Sequence, residues 1–351
     1  MEAISDAIMR LCTNEPVDED LANRVAAEIL SGAATAAQIG AFLVGLAIRG
    51  EQAEHLKGFV RAMRSLAKPV TVTSHANLID TCGTGGDHFC TFNISTAAAI
   101  VAAGAGARIA KHGNRAVTSK QGSGSADVLA QLGVNVSCST ETSLRCLEQC
   151  GLAFFFAPTY HGAMRHAGPA RRELGVRTIL NLLGPMTNPA GVRRQVIGVG
   201  IAEMTEVFAR VLIETKSEHV MVVHGQDGMD EITLTAPTKI TEATQQEMKT
   251  YLFHPEEHGM ALCKLADLQI TAENQAEARA EVIQEILAGT DGPWRDITVL
   301  NAAAALIVAG VARDWPDGIA RARAAIDTRA AEKVLETLVR VSNEEPPEAA
   351  G

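Results

Sequence analysis

The sequence predicts an α/β protein: a small all-helical N-terminal lobe joined to a larger lobe with a largely parallel central sheet. Three observations lead there. Residues 1–70 carry apolar repeats at helical spacing and no strand signal. From about Asn77, short apolar runs alternate with alanine-rich helical stretches, the pattern of strands and crossover helices. From about Glu273 the texture is helical again. The expected division is a helical lobe over 1–70, joined by part of 165–190, an α/β lobe over 71–342, and a frayed tail over 343–351.

Each helix of the first lobe has its own signals. Asp18 can cap a helix whose Leu21, Val25 and Ile29 share one face before Gly32. Thr35 and Gln38 form a capping box, and Ile39, Phe42, Leu43 and Leu46 repeat behind it until Gly50. A further helix carries Leu56, Phe59, Val60 and Met63 and stops before Pro69. In the second lobe the apolar runs 78–80, 108–110, 134–136, 152–156, 196–199 and 220–223 are the expected strands.

Composition bounds the function. The 351 residues are 47% hydrophobic and only 4% aromatic, so small aliphatic side chains must fill the core. A net charge of -10 argues against a general nucleic-acid or membrane binder, which needs clustered cationic surface. It leaves room for a locally cationic pocket that takes a small anion. There is no charged-then-apolar leader and no apolar run long enough to span a bilayer, so neither a signal peptide nor a membrane helix is expected, and the cytoplasm is the expected location. The seven cysteines are scattered without a Cys-x-x-Cys pair, which suits reduced thiols. Cys146 and Cys150 stand four apart on one helix face, and no further ligands at zinc spacing accompany them.

The residues that carry chemistry cluster after strands. Asp80-Thr81-Cys82-Gly83-Thr84-Gly85-Gly86-Asp87 runs from a strand into a loop with three glycines in four residues. Such a loop lets backbone N–H groups converge on an anion. A dinucleotide fingerprint would need glycine at position 88, where this chain has His88. Asn93-Ile94-Ser95-Thr96 then precedes the alanine helix 97–103, which Ser95 or Thr96 can cap. Its first-turn N–H groups form a second anion cradle. Either feature alone reads as an ordinary turn or cap; two within fifteen residues suit a ligand with two phosphate groups.

Lys111-His112-Gly113-Asn114-Arg115 follows a strand, where side chains point at the ligand crevice of an α/β sheet. Lys111 offers a point charge for phosphate, and His112 and Asn114 offer hydrogen bonds without net charge. A glycine- and serine-rich stretch with Ser119, Ser123 and Ser125 opens a helix at Ala126. His161 and the arginines Arg165, Arg171 and Arg172 follow; Arg171 can grip a carboxylate with its fork, or belong to a basic helix face. After 220–223 comes Asp227-Gly228-Met229-Asp230-Glu231, whose adjacent acids suit Mg2+ or simply solvate a loop.

Taken in order, these motifs resemble the anthranilate phosphoribosyltransferase family. The resemblance runs from Gln38-Ile39-Gly40-Ala41-Phe42-Leu43 through Asn181-Leu182-Leu183-Gly184-Pro185 to Leu300-Asn301-Ala302, nearly the whole chain. It implies a fold of the nucleoside phosphorylase/phosphoribosyltransferase type, a homodimer, and phosphoribosyl pyrophosphate (PRPP) held with Mg2+ in the cleft, in the pathway to tryptophan. By motif position, Gly83, Gly86, Asp87, Asn93, Ser95, Thr96 and Lys111 would line the PRPP site, and Thr91, Gly113, Arg115, Ser119, Ser123 and Ser125 are further substrate-binding candidates. Ser95, Asp230 and Glu231 would hold the metal. His112, Asn114, His161 and Arg171 would lie along the anthranilate path, with His112 and Asn114 as the catalytic pair that orients the amine and Arg171 as the carboxylate partner.

Three departures accompany the match. The 120–126 loop is about two residues longer than usual, which leaves Ser123 and Ser125 as alternatives for the phosphate serine; Gly162 stands for proline, and Met229 for leucine. A pyrimidine-nucleoside phosphorylase resembles this architecture, but the 111–115 motif and the acid pair favour the transferase. A non-catalytic nucleic-acid-binding relative would need a basic surface, which the charge of -10 opposes.

Overall fold

The computed structural model of the chain describes residues 2–85, 89–115, 123–272 and 274–344. Four helices open it: α1 (Ala3–Thr13), α2 (Glu19–Ser31), α3 (Ala36–Arg49) and α4 (Ala53–Leu66). The Asp18 carboxylate accepts from the Leu21 amide at 2.8 Å to start α2, and Gly32, at φ 81°, ends it in the left-handed conformation that glycine takes without strain. Thr35 and Gln38 cap α3 reciprocally. α2 packs on α4 at Gly58, where a Cβ would stand 2.6 Å from the Glu19 carbonyl oxygen.

The chain returns to this lobe later. After α8 (Ala157–Tyr160), the 3-10 turn Gly162–His166 packs on α2; α9 (Gly168–Leu174) and α10 (Ile179–Leu182) pack on α3; and the turn Gly184–Thr187 packs on α4. Ala167, Ala170, Ile179 and Leu180 share a core with Ile29, Phe42, Leu43 and Phe59. That core continues to Ile197, Phe208, Val220 and Val222, so the helices rest on one face of the sheet.

The sheet has seven strands in the order β3-β2-β1-β4-β5-β6-β7. β1 (Leu78–Gly83), β2 (Arg108–Gly113), β3 (Leu152–Phe156), β4 (Arg194–Gly198) and β5 (His219–Gly225) are parallel. β6 (Thr238–Thr244) and β7 (Met248–Phe253) add an antiparallel edge. α5 (Ile94–Gly104), α6 (Ser125–Gln131), α7 (Thr140–Cys150) and α11 (Met204–Glu214) connect the strands. α12 (Gln275–Leu287), α13 (Pro293–Ala309), α14 (Trp315–Asp327) and α15 (Ala330–Ser342) complete the second face, where α5 is covered by α13, α14 and α15. Alanine makes this close packing possible: α13 buries Ala302, Ala303, Ala304 and Ala305 at 0% exposure.

Two sequence expectations need correction. Residues 134–136 form no strand. Val134 and Val136 are buried, but the Asn135 amide donates to Ser342 Oγ and Asn343 Nδ2 donates to the Gly133 carbonyl, so α15 covers this link instead of a strand pairing with it. The edge pair β6–β7 was absent from the expected strands: β6 is a polar, threonine-rich alternation, and β7, although it ends in Tyr251-Leu252-Phe253, is largely exposed. No helix among the described residues is long and apolar enough to cross a membrane, and none of the seven cysteines forms a disulfide among the described residues. Residues 345–351 of the expected tail lie outside the described residues.

Candidate active site

In the strand order, β1 connects outward to β2 on one side and has β4 on the other. The crevice beyond the carboxyl ends of β1 and β4 is therefore a topological switch point, where α/β sheets bind ligands. Gly83 and Gly198 pair there in register. A Cβ on Gly83 would stand 2.8 Å from Asp230 Oδ2, and one on Gly198 would collide with the Asp230 carbonyl oxygen. The two glycines thus let the Asp230 backbone and carboxylate lie directly over the strand ends. Thr84 continues the loop, its amide donating to the Gly198 carbonyl at 2.9 Å and its hydroxyl accepting from Arg177 Nη2 at 2.9 Å. Gly86 and Asp87 lie outside the described residues, as does Ser119.

α5 starts two residues earlier than a Ser95 cap would set it, and three earlier than a Thr96 cap. Asn93 is the N-cap, without a side-chain cap bond, and Ser95 and Thr96 lie in the first turn. The Ser95 amide donates instead to Glu231 Oε1 at 3.2 Å. A carboxylate on a helix N-terminus marks the place where an anion is stabilised. Lys111, 2% exposed on β2, donates to the Thr81 carbonyl at 2.6 Å and reaches Ser95 Oγ at 3.4 Å. Burial lowers the lysine's pKa, opposed by Asp80 and Glu231. Asp80 is wholly buried and accepts from Asn188 Nδ2 at 2.8 Å and the His112 amide at 3.2 Å. Burial raises its carboxyl to about 6, so it stays largely ionised at neutral pH, and its charge favours the ammonium form of Lys111.

Asp230, Glu231 and Ser95 therefore meet at one end of the sheet. Two carboxylates and a hydroxyl fit Mg2+, which prefers a few acids and completes its shell with water and phosphate oxygens. Thr96 Oγ1 and Ser123 Oγ are buried without a hydrogen-bond partner among the described residues. Ser125, by contrast, packs its hydroxyl against Gly113, where a Cβ would collide with it. Thr91 is buried and bridges through its backbone to Gln269.

The next residue of β2 faces a different task. His112 Nδ1 lies 3.2 Å from the Gly184 carbonyl. A carbonyl only accepts, so Nδ1 carries the hydrogen and Nε2 is a bare lone pair. That Nε2 is buried and has no partner among the described residues, and neither has Nε2 of His161. The two rings meet edge to face with centroids 5.1 Å apart. Burial, reinforced by His161, lowers the His112 pKa to about 3, and burial lowers His161 as well. Both rings are neutral acceptors at physiological pH.

The depressed value has a stability consequence. Between about pH 6.5 and 3 the unfolded chain protonates this imidazole and the folded chain does not, so His112 weakens the fold as pH falls. On going from pH 7 to pH 5, His112→Asn is expected to lose about 2 kcal/mol less stability than wild type. Urea unfolding at both pH values measures this; equal losses would show that the ring is not held neutral.

Asn114 accepts from the Arg115 amide at 2.8 Å and is half-buried. Arg115 itself is exposed and pairs with Asp127 on α6 at 2.8 Å, so its guanidinium braces the helix that follows the loop. Arg171 stands on α9, half-buried, and among the described residues its guanidinium makes no hydrogen bond or ion pair; burial lowers its pKa. A fork in that condition suits a carboxylate ligand. Sequence reasoning missed Arg177, Asn188 and Arg279. Asn188 had a signal, since an acid such as Asp80 inside an apolar strand demands a partner; the arginines had none.

The descriptions of the matching families agree with this architecture. The glycosyl transferase family helical bundle domain matches residues 5–67, and the glycosyl transferase family a/b domain matches 75–332. The chain is 50% identical to the anthranilate phosphoribosyltransferase of Thioalkalivibrio sulfidiphilus over 89% of this chain and 90% of that one. It is 46% identical to that of Methylobacillus flagellatus over 96% and 97%. The crystal structure of the Thermus thermophilus anthranilate phosphoribosyltransferase superposes with a TM-score of 0.89 at 36% identity, covering 98% of this chain and all of that one. The Saccharomyces cerevisiae enzyme in complex with PRPP and Mg shares the fold, with a TM-score of 0.85 at 24% identity over 97% of each chain. With such identity over nearly its whole length, the chain belongs to the anthranilate phosphoribosyltransferase family.

Proposed function

We propose that the chain transfers the phosphoribosyl group of PRPP to the amino group of anthranilate, giving N-(5-phosphoribosyl)anthranilate and pyrophosphate, in tryptophan biosynthesis. One observation carries the reading: successive residues of β2 serve the two halves of the reaction. Lys111 reaches Ser95 in the first turn of α5, and His112, the next residue, holds a bare, buried Nε2 beside the His161 ring. Adjacent side chains of a strand point to opposite sides, so one strand end can join an anion site to an amine site.

The reaction breaks the bond from C1 to pyrophosphate, forms C1–N, and releases one proton from the amine. Gly83, Asn93, Ser95, Thr96, Lys111 and Ser123 bind PRPP through the α5 N-terminus, buried hydroxyls and a cation. Asp230, Glu231 and Ser95 would hold Mg2+, which when bound neutralises the developing charge on pyrophosphate. Arg171 receives the anthranilate carboxylate, and His161 and Asn114 border the amine. His112 Nε2 accepts a hydrogen bond from the amine and so aims its lone pair at C1. A ring with pKa of about 3 orients the amine; it is too weak a base to keep the proton. The same reading makes the enzyme a cytoplasmic homodimer, supported by cysteines without a disulfide among the described residues and by exposed Ile48 and Met9 on the helical lobe.

Pyrophosphate release measured with each substrate omitted tests the proposal. Release must need both PRPP and anthranilate. His112→Ala is expected to lower kcat by about tenfold to fiftyfold, less than the hundredfold or more of a lost general base. A loss beyond about a thousandfold with unchanged binding would make His112 an indispensable base. Phosphorolysis of thymidine would overturn the transferase reading.

A further inference from the structure

Arg279 stands on α12 and is only 6% exposed. It is the one basic residue of that helix, whose other charged residues are Glu277, Glu281 and Glu285. A buried cation is costly to desolvate, so its surroundings must supply acceptors or opposite charge. Arg279 Nη1 donates to the Ser123 carbonyl at 3.2 Å and reaches Asn93 Oδ1 at 3.4 Å. Asn93 Nδ2 approaches the same Ser123 carbonyl at 3.4 Å. Three elements meet in this triangle: the cap of α5, the residue two before α6, and α12.

We infer that Arg279 is a positioning residue for the phosphate cradle of PRPP. Its donation to Oδ1 fixes the orientation of the Asn93 amide. Its donation to the Ser123 carbonyl holds residue 123 against the cap of α5, which keeps Ser123 Oγ, buried without a partner among the described residues, beside the cradle. The guanidinium also adds fixed positive charge behind the cradle, where low dielectric lengthens its reach. This inference rests on the PRPP reading of Asn93 and Ser123. It places the effect of Arg279 on PRPP and leaves the anthranilate pocket, built around His112 and Gly184, untouched.

The test compares Arg279→Met and Arg279→Lys with wild type, with circular dichroism as the folding check. Arg279→Met is expected to raise KM for PRPP about tenfold, the effect of losing hydrogen bonds from a charged donor. KM for anthranilate should stay within about twofold. Arg279→Lys should recover part of the loss, because an ammonium keeps the charge but ends one bond short of Nη1, the nitrogen that meets both acceptors. Affinity for inorganic pyrophosphate with MgCl2, by calorimetry, should fall in parallel. An unchanged KM for PRPP, or an equal rise in both KM values, would overturn the inference. If Arg279→Met does not fold, Arg279→Lys is decisive alone: a selective rise of about threefold in KM for PRPP supports the inference, and wild-type values overturn it. If wild type transfers nothing to anthranilate, the functional reading fails by itself. The pyrophosphate titration then still judges Arg279, and equal affinities in wild type and variant would sink it.

Discussion

The double variant Asp230→Asn/Glu231→Gln is expected to lose at least about a thousandfold in kcat/KM while remaining folded. Each substitution keeps size and a hydrogen-bonding oxygen: the amide oxygen introduced by Glu231→Gln can still accept from the Ser95 amide, as the Glu231 carboxylate does at 3.2 Å. What goes is the paired negative charge over Gly83 and Ser95. Mg2+ needs anionic oxygen to compete with water, so the neutral amides remove the protein's share of the site. A thousandfold is about 4 kcal/mol of transition-state stabilisation, the scale of several kcal/mol that a Lewis acid supplies to a leaving phosphate. Steady-state rates across a MgCl2 titration read the effect. A variant that keeps wild-type rates at low MgCl2 would place the metal elsewhere.

Lys111→Met is the second large effect, and it acts on both stability and activity. Lys111 is buried near Asp80, whose carboxyl stays ionised at neutral pH because the Lys111 charge, and then hydrogen bonds from Asn188 and the His112 amide, offset its burial. Removing one member of a buried charge pair leaves the other uncompensated and costs about 3–5 kcal/mol. Denaturant unfolding should show that loss. Adding Asp80→Asn should return much of it, because an amide can be buried without a counter-charge. Activity should not return, since the cation that reaches Ser95 Oγ is still missing. If the second substitution restored activity as well, Lys111 would serve the fold and not the phosphate.

Much of this architecture is legible before any coordinates. The helical lobe announces itself because its caps are local: Asp18, Gly32 and the Thr35–Gln38 box act within one turn of their own helices. β1 to β5 are legible because strands covered on both faces are apolar runs. The same rule misled at residues 134–136, where a buried apolar triplet lies under α15 and period cannot separate strand from link. It passed over β6, a polar alternation, and β7, a largely exposed edge strand.

The site divides along the same line. Glycines after β1, the first turn of α5 and the 111–115 segment show in sequence because their chemistry depends on residue type at close spacing. The tautomer of His112 does not, since it is set by a carbonyl 72 residues away. The choice between Ser123 and Ser125 depends on which hydroxyl packs against Gly113. Arg279 is invisible for a similar reason: an arginine among glutamates on a helix looks like a solvated face until the fold brings it to Asn93.

The most direct test of the central claim follows the fluorescence of anthranilate as purified protein meets PRPP and MgCl2. The account predicts loss of signal that needs both substrates, stops with EDTA, and is absent in the Asp230→Asn/Glu231→Gln variant. No loss with folded wild-type protein, or loss that EDTA and the double variant leave unchanged, would contradict it.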